Sequence, residues 1–336
     1  MSERFSIGSG YVKLAVVVTL LLTSSAIACQ VPVFRYALER WSPDRYKLMI
    51  LTDKALPESM LQTITRSVQA KFPAGSLEQR QSRVNLEVID VERTTSVQAK
   101  QLWRAYGNSS PIAIALYPDK SSLRGEVAHV GPVTEASIKG IVASPAREEI
   151  AQRLARGHSA VWVLLECGDK AKDESARNTL EKQLALDKEW LKLPTAEEME
   201  VKPVVLDKLK VKLRMEFSVL TLSRHDAREQ FLVDCLLNSE PDLRQQNEPL
   251  AFPVFGRGIV LYALVGKGIA ATNIRTASSF LCGPCSCQVK EQNPGFDLLL
   301  DHDWEAALGD TLVSQAFPES GAAPQLVPIP PGNKKR

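Results

Sequence analysis

The chain has 336 residues, of which 44% are hydrophobic and 24% are charged, and its formal net charge is +2. These values are typical of a globular protein of about two domains. The small net charge, with no basic block interleaved with aromatic residues, argues against nucleic acid as a partner. The six cysteines are too few for a disulfide-rich scaffold of this length, so each must be judged by its position.

Residues 1–28 have the pattern of an export signal. Positively charged residues precede an apolar run at 14–22, and Ala26-Ile-Ala28 forms an A-x-A cleavage site. The apolar run is shorter than the roughly 20 residues that a membrane span needs. We therefore expect an exported protein of the periplasm or the cell envelope, with this segment outside the fold.

Cys29 follows the cleavage site directly, and three alternatives are open for it. Ala26-Ile-Ala-Cys29 resembles a bacterial lipobox, although Ala26 stands where that pattern prefers Leu. Lipidation of Cys29 would attach the protein to a membrane. Simple cleavage after Ala28 would leave the Cys29 thiol available for pairing, and an uncleaved signal segment would itself be a membrane anchor.

Between residues 29 and 157 the apolar residues alternate between the helix period and the strand period. Pro32 suits the first position of a helix whose apolar face carries Phe34, Leu38 and Trp41. The predicted helices of this half cover 31–41, 57–71, 95–106 and 134–156, and the predicted strands cover 46–52, 84–91, 112–117 and 126–130.

Residues 158–300 repeat that order of elements. The predicted strands cover 160–165, 217–222, 251–255 and 259–265, and the predicted helices cover 170–193, 272–281 and a segment beginning at Asp226. A charged connector occupies 194–216. A short C-terminal helix is expected within 301–316, and the proline-rich tail 317–336 is expected to be disordered.

Both halves therefore give the element order βαβαββα, which resembles the thioredoxin fold twice in tandem. The resemblance implies an α/β protein of two three-layer α/β/α sandwiches, at 29–157 and 158–300. Thioredoxin-like proteins carry a cis-proline just before the first hairpin strand. Pro111 and Pro249 stand at the matching places of the two halves, which makes them candidate cis-prolines.

The resemblance also implies where a catalytic cysteine pair would stand, at the end of the first strand where the next helix opens. In the first half this junction is Asp53-Lys-Ala-Leu56, which contains no cysteine and predicts a redox-inactive domain. In the second half it is Cys167-Gly-Asp-Lys170. Cys167 could form mixed disulfides there, but Lys170 replaces the resolving cysteine. The alternative is a half-buried cysteine at a strand end.

Three further cysteines stand in the segment Cys282-Gly-Pro-Cys-Ser-Cys287. Its first four residues spell the thioredoxin active-site tetrapeptide. The segment follows the predicted helix 272–281 instead of a strand, however, and comes after the last element expected in the second half. We therefore interpret the tetrapeptide as a coincidence of spelling.

The chemistry of this cysteine cluster has several alternatives. It could be a redox-active dithiol, or a set of free thiols without a role. The C-x-x-C-x-C spacing also suits Zn(II) or Cu(I), with His302 as a fourth ligand. A structural disulfide is the remaining alternative, either between two of Cys282, Cys285 and Cys287 or from one of them to Cys29 or Cys167.

Two functions from different classes fit these observations. The first is a non-catalytic envelope protein that binds an unidentified protein through tandem thioredoxin-like domains and whose cysteines are structural. The alternative is a thiol or soft-metal handling protein, and any enzyme activity would be thiol–disulfide exchange. A further hypothesis is a docking surface around Trp41 and Trp103. The chain contains no phosphate-binding loop of the Walker type and no G-x-S-x-G motif.

Overall fold

The computed structural model describes residues 29–68, 83–107, 110–285 and 290–316. The expected export signal with Ala28, the cysteine at 287 and the proline-rich tail lie outside these residues. Within the described part of the chain, no helix is both long and apolar enough to cross a bilayer. The predicted mixed α/β class is confirmed.

The first half forms a four-stranded sheet with the strand order β3-β2-β4-β5. Strands β2 and β3 run parallel, while β4 is antiparallel to β2 and β5 is antiparallel to β4. Its elements in chain order are β1 (Cys29–Pro32), α1 (Val33–Arg40), β2 (Tyr46–Thr52), α2 (Glu58–Val68), β3 (Val84–Asp90), α3 (Val97–Tyr106), β4 (Ile112–Leu116), β5 (Val127–Pro132), α4 (Glu135–Val142) and α5 (Pro145–Ala155).

The second half forms a larger sheet around the strand order β12-β9-β8-β6-β7, with β10 also paired to β8. Strands β6 and β7 are parallel, and β8 is antiparallel to β6. Its elements are β6 (Ala160–Glu166), α6 (Lys170–Trp190), α7 (Pro203–Lys208), β7 (Phe217–Ser223), α8 (Gln230–Leu237), β8 (Leu250–Phe255), β9 (Ile259–Val260), β10 (Leu264–Val265), α9 (Ala271–Cys282), β11 (Pro284–Cys285), β12 (Phe296–Asp297) and α10 (Trp304–Leu308).

Several predicted boundaries were wrong. Pro32 ends β1 instead of opening a helix, because residues 29–32 pair with β11. The predicted strand 259–265 is two short strands, since β9 and β10 pair with opposite ends of β8. The charged connector contains the short helix α7, and the C-terminal helix is limited to residues 304–308 before a 3₁₀ turn at Val313–Ala316.

The two candidate cis-prolines differ. The Ser110–Pro111 peptide bond is cis, and no second cis bond is found among the described residues. Pro249 has a trans bond, so its prediction was wrong. There the chain enters β8 in extended form, and the Pro249 carbonyl accepts a hydrogen bond of 2.9 Å from the N–H of Gly266.

The apolar core joins the two halves. One cluster of buried side chains includes Leu48 and Ile50 from β2, Val161 and Val163 from β6, and Phe231 from α8. Alternate residues of the same strands face outward to separate clusters, which α3 covers on the first sheet and α1, α6 and α9 cover on the second. Helices therefore lie on both faces of each sheet, and the halves share one continuous interior.

Helix α1 is almost completely buried although it carries charged side chains. Arg35 and Glu39 form an ion pair with 2.6 Å between Nε and Oε1. Arg35 also donates to the carbonyl of Val211 at 2.7 Å, and the Glu39 carboxylate accepts from the N–H groups of Val313 and Ser314 at 3.1 and 2.8 Å. Distant segments of the chain thus satisfy the polar groups of α1.

The loop between β8 and β9 packs against α1 at a glycine. Gly256 has a φ of +58°, and a Cβ atom there would lie 2.7 Å from the Cβ of Ala37. The next residue, Arg257, donates to the carbonyls of Leu38 and Glu39 at 2.8 and 3.1 Å. A side chain at 256 would separate this loop from α1 and break those contacts.

A second buried arginine, Arg147 at the start of α5, holds the two halves together. It donates to the carbonyls of Ile141 at 2.8 Å and Leu299 at 3.0 Å, and to Ser144 Oγ at 2.9 Å. Its guanidinium lies 4.7 Å from the ring centre of Phe231 on α8. Burial lowers the pKa of Arg147 to about 10, which leaves it charged at neutral pH.

A second set of polar contacts between the halves joins β5 to α8. His129 Nδ1 lies 2.7 Å from Asp234 Oδ2, and Arg244 donates to Asp234 Oδ1 at 2.9 Å. The hydroxyl of Tyr117 donates to the carbonyl of Cys235 at 2.5 Å. These buried bonds fix the orientation of α8 against the first sheet.

We expect Arg147→Ala to lower the free energy of unfolding by about 3 to 5 kcal/mol, because it leaves several buried carbonyl groups without donors. Urea unfolding followed by circular dichroism measures the change. Arg156→Ala on the exposed end of the same helix is the control and should change stability by less than about 0.5 kcal/mol. Equal effects of the two substitutions would contradict the role given to Arg147.

Candidate functional site

The first strand-to-helix junction lies at the end of β2, next to the cis bond before β4. Ser110 Oγ donates to Asp53 Oδ1 at 2.5 Å and lies 3.5 Å from Thr52 Oγ1. The N–H of Asp53 donates back to Ser110 Oγ at 3.3 Å. This junction therefore contains hydroxyl and carboxylate groups and no thiol, as the sequence indicated.

The second junction lies at the end of β6, where Cys167 is partly exposed. The N–H groups of Cys167 and Gly168 donate to the two carboxylate oxygens of Asp173 at 2.8 and 3.0 Å. Asp169 caps α6 by accepting from the N–H groups of Ala171 and Lys172. Four of the backbone N–H groups at this junction are therefore already bound to carboxylates. The backbone of Asp169 is a hydrogen-bond partner of the Cys167 thiol and acts to lower its pKa, but this effect is smaller than that of burial.

These contacts make Cys167 a poor nucleophile. Burial raises the pKa of the Cys167 thiol, and the neighbouring Asp173 carboxylate raises it further. A thiolate, the reactive form, is therefore disfavoured at neutral pH. Asp173 had not been singled out in the sequence, although an acidic residue in the first helical turn after a strand-end cysteine is the signal that could have identified it.

The cysteine cluster meets the beginning of the chain in a two-stranded ribbon. Strand β1 pairs antiparallel with β11, and the register places Cys29 directly opposite Cys285. The N–H of Val33 donates to the carbonyl of Gly283 at 3.0 Å, which continues the ribbon to the start of α1. The sequence left Cys29 as one of several alternative partners for this cluster, and only the folded chain places it opposite Cys285.

Cys282, at the end of α9, points into the core. Its Sγ lies 3.2 Å from the Sδ of Met215, and only 7% of the residue is exposed. Burial raises the pKa of its thiol, and the Asp187 carboxylate adds to this effect. Cys285 is also buried. Neither position resembles the exposed, electropositive surroundings of a reactive cysteine.

The expected metal ligands are not assembled by the described residues. No group of three or more His, Cys, Asp or Glu side chains among them is arranged to hold an ion. His302 packs edge to face on Trp304, with 4.7 Å between ring centres, and Trp304 belongs to a different apolar cluster from Cys282 and Cys285. Cys287 lies outside the described residues, so its contribution stays a prediction.

The burial of Cys235, Trp41 and Trp103 bears on the roles that the sequence indicated for them. Cys235 is completely buried on α8, as expected of a core residue, and burial raises the pKa of its thiol to about 12. Trp41 is only 4% exposed and packs against Tyr36, while Trp103 is partly buried on the cluster under α3. Trp41 is thus not available as a docking residue, because α1 and its neighbours enclose it.

A cleft of about 800 Å³ opens between the two halves. Its walls are α2, α4, the start of α5 and the turn at Ala227–Glu229. Three cationic side chains line it: Arg66, Lys139 and Arg228. Lys139 is paired with Glu135 at 2.5 Å, and Arg228 with Asp226 at 2.8 Å, whereas Arg66 donates to the neutral amide of Gln62.

Sequence reasoning missed this cleft, because its residues come from three separate segments of the chain and share no motif. Clefts at the junction of two domains are common binding sites. A comparison of the chain with models of protein families found no match, and neither did a comparison with curated proteins.

We expect Asp173→Asn to lower the pKa of Cys167, because it removes the negative charge beside the thiol. The rate of alkylation by iodoacetamide at pH 8, resolved by peptide, should rise about threefold or more. Glu174→Gln removes the same charge from an exposed neighbour and should leave the rate unchanged. An unaltered rate in Asp173→Asn would mean that burial alone keeps Cys167 protonated.

Proposed function

We propose that the protein is an exported envelope protein whose two tandem thioredoxin-like domains bind another protein without catalysing thiol exchange. The observation that carries this proposal is the chemistry of the two strand-to-helix junctions. Asp53 and Ser110 occupy the first, and in the second the Asp173 carboxylate accepts from the N–H groups of Cys167 and Gly168 and raises the pKa of the Cys167 thiol. The remaining cysteines are structural in this proposal.

The order and direction of the strands support the thioredoxin-like assignment. The central strand of each half, β2 or β6, lies between a parallel strand and an antiparallel strand, and a further strand pairs with the antiparallel one. That further strand, β5, is the edge of the first sheet, whereas in the second sheet β12 pairs beyond β9. The cis bond before Pro111 lies beside the end of β2. The export part of the proposal depends on the signal pattern in residues 1–28 alone.

The cleft between the halves is the surface that suits a protein partner. It is large enough for several side chains of a partner segment. Arg66 has no carboxylate in hydrogen-bond contact among the described residues, so it can attract an acidic side chain. Glu135 and Glu148 also line the cleft, so its three cations exceed its carboxylates by one. A partner that places an acidic side chain beside Arg66 therefore suits the cleft.

Photo-crosslinking tests the binding function. A benzophenone amino acid replaces Ala136, which is exposed in the cleft, in protein produced with its signal segment. We expect one discrete adduct, which Arg66→Glu reduces severalfold because the substitution reverses the attracting charge. The same probe at Ser175, on the exposed face of α6, is the control. Similar adducts from both positions, or no adduct from Ala136, would contradict binding in the cleft.

The alternative function is thiol or soft-metal handling by the cysteine cluster. The ribbon favours it in one respect, because it brings a fourth cysteine, Cys29, next to Cys285. Four thiolates are a suitable ligand set for Zn(II) or Cu(I). The high pKa expected of the buried Cys282 thiol opposes it, since binding would first require loss of that proton.

Metal content and exchange activity separate the two functions. We expect protein purified without chelator to contain less than about 0.1 equivalent of zinc or copper, and to reduce insulin disulfides at the background rate. Simultaneous replacement of Cys282, Cys285 and Cys287 by Ser should change neither value. Stoichiometric metal, or a rate lost in this variant, would support the alternative, and Cys235→Ser is the matched control for loss of a buried thiol.

A further inference from the structure

The ribbon formed by β1 and β11 brings two cysteines into direct register. Cys29 and Cys285 are Cα partners on antiparallel strands. Residues directly opposed in an antiparallel pair have Cα atoms about 4.5 to 5.5 Å apart. A disulfide requires a Cα separation of about 4.4 to 6.8 Å. The geometry points to a disulfide bond between Cys29 and Cys285.

A disulfide bond would stabilise this two-stranded ribbon more than it would stabilise a sheet of several strands. The ribbon's second pair of opposed residues is Pro32 and Pro284, and the register shifts between the two pairs, so the ribbon is irregular. Neither proline has an N–H group to donate. A two-stranded ribbon is marginally stable even with all its hydrogen bonds. The covalent link therefore supplies a connection that the backbone cannot.

The position of Cys282 favours Cys285 as the partner. Cys282 belongs to the last turn of α9, and its Sγ contacts Met215 in the core. Gly283 accepts the hydrogen bond from Val33, and the chain then turns so that residue 285 enters the ribbon. Cys285 is thus the cysteine of the cluster that the described backbone presents to Cys29.

The bond would close a covalent loop from residue 29 to residue 285 and tie the start of α1 to the end of α9. Two thiols lose two protons and two electrons, and a disulfide-bearing oxidoreductase of the envelope accepts the electrons by becoming a dithiol. This step depends on the proposed export, because only an oxidising compartment maintains such a bond.

A sulfur bound in a disulfide cannot carry a thioether lipid, so the inference also excludes lipidation of Cys29.

Peptide mapping without reductant tests the inference on protein isolated from its native envelope and alkylated during lysis. Trypsin should release residues 29–35 linked to residues 276–290, and reduction should separate them. Fragmentation before Pro284 distinguishes Cys282 from the two later cysteines. Cys287→Ser should keep the link, whereas Cys285→Ser should lose it and lower the melting temperature by roughly 5 to 15 °C.

The wild-type map decides the inference even if Cys285→Ser does not fold. A diacylglyceryl group on Cys29, an alkylated Cys29, or a link from Cys29 to Cys282 or Cys287 would each overturn it. Retention of residues 1–28 with an alkylated Cys29 would overturn the disulfide and would indicate an uncleaved membrane anchor. Binding in the cleft is measured separately by the adduct from position 136, so the two proposals can fail independently.

Discussion

The burial of α1 is the constraint on which the remainder of the structure depends. Burying an ion pair costs several kcal/mol unless every remaining donor and acceptor finds a partner. Arg35 and Glu39 meet this condition because the segments around Val211 and Ser314 converge on their side chains, while Arg257 donates to the backbone carbonyl of Glu39. The N-terminal ribbon, the second sheet and the C-terminal 3₁₀ turn must therefore be in place together. Removing one charged partner would leave the other buried and unpaired.

The two strand-to-helix junctions illustrate how a fold can keep its topology without the chemistry associated with it. A helix N-terminus stabilises an anion through its unpaired N–H groups. At the end of β6 the carboxylates of Asp169 and Asp173 already accept four of these hydrogen bonds, and a thiolate at Cys167 would meet the like charge of Asp173. The same donors therefore contribute to the stability of α6.

Buried charge also fixes how the halves lie relative to each other. Arg147 joins α4, α5 and the segment after β12, while the pair of His129 and Asp234 joins β5 to α8. These contacts are directional, unlike the apolar packing around them, and so they set the position of the helices that form the cleft. A cleft with rigid walls loses less conformational entropy on binding a partner than a flexible surface does.

The sequence by itself determined the α/β class and most strands and helices, because apolar runs and alternation report directly on which faces are buried. It also located the cysteines and the first junction without a thiol. The tertiary structure decided what the sequence could not: that Asp173 binds the backbone at Cys167, that Cys29 faces Cys285, that Pro249 is trans, and that a cleft lies between the halves. The physical reason is that each of these depends on contacts between residues far apart in the chain, which no local period or spacing records.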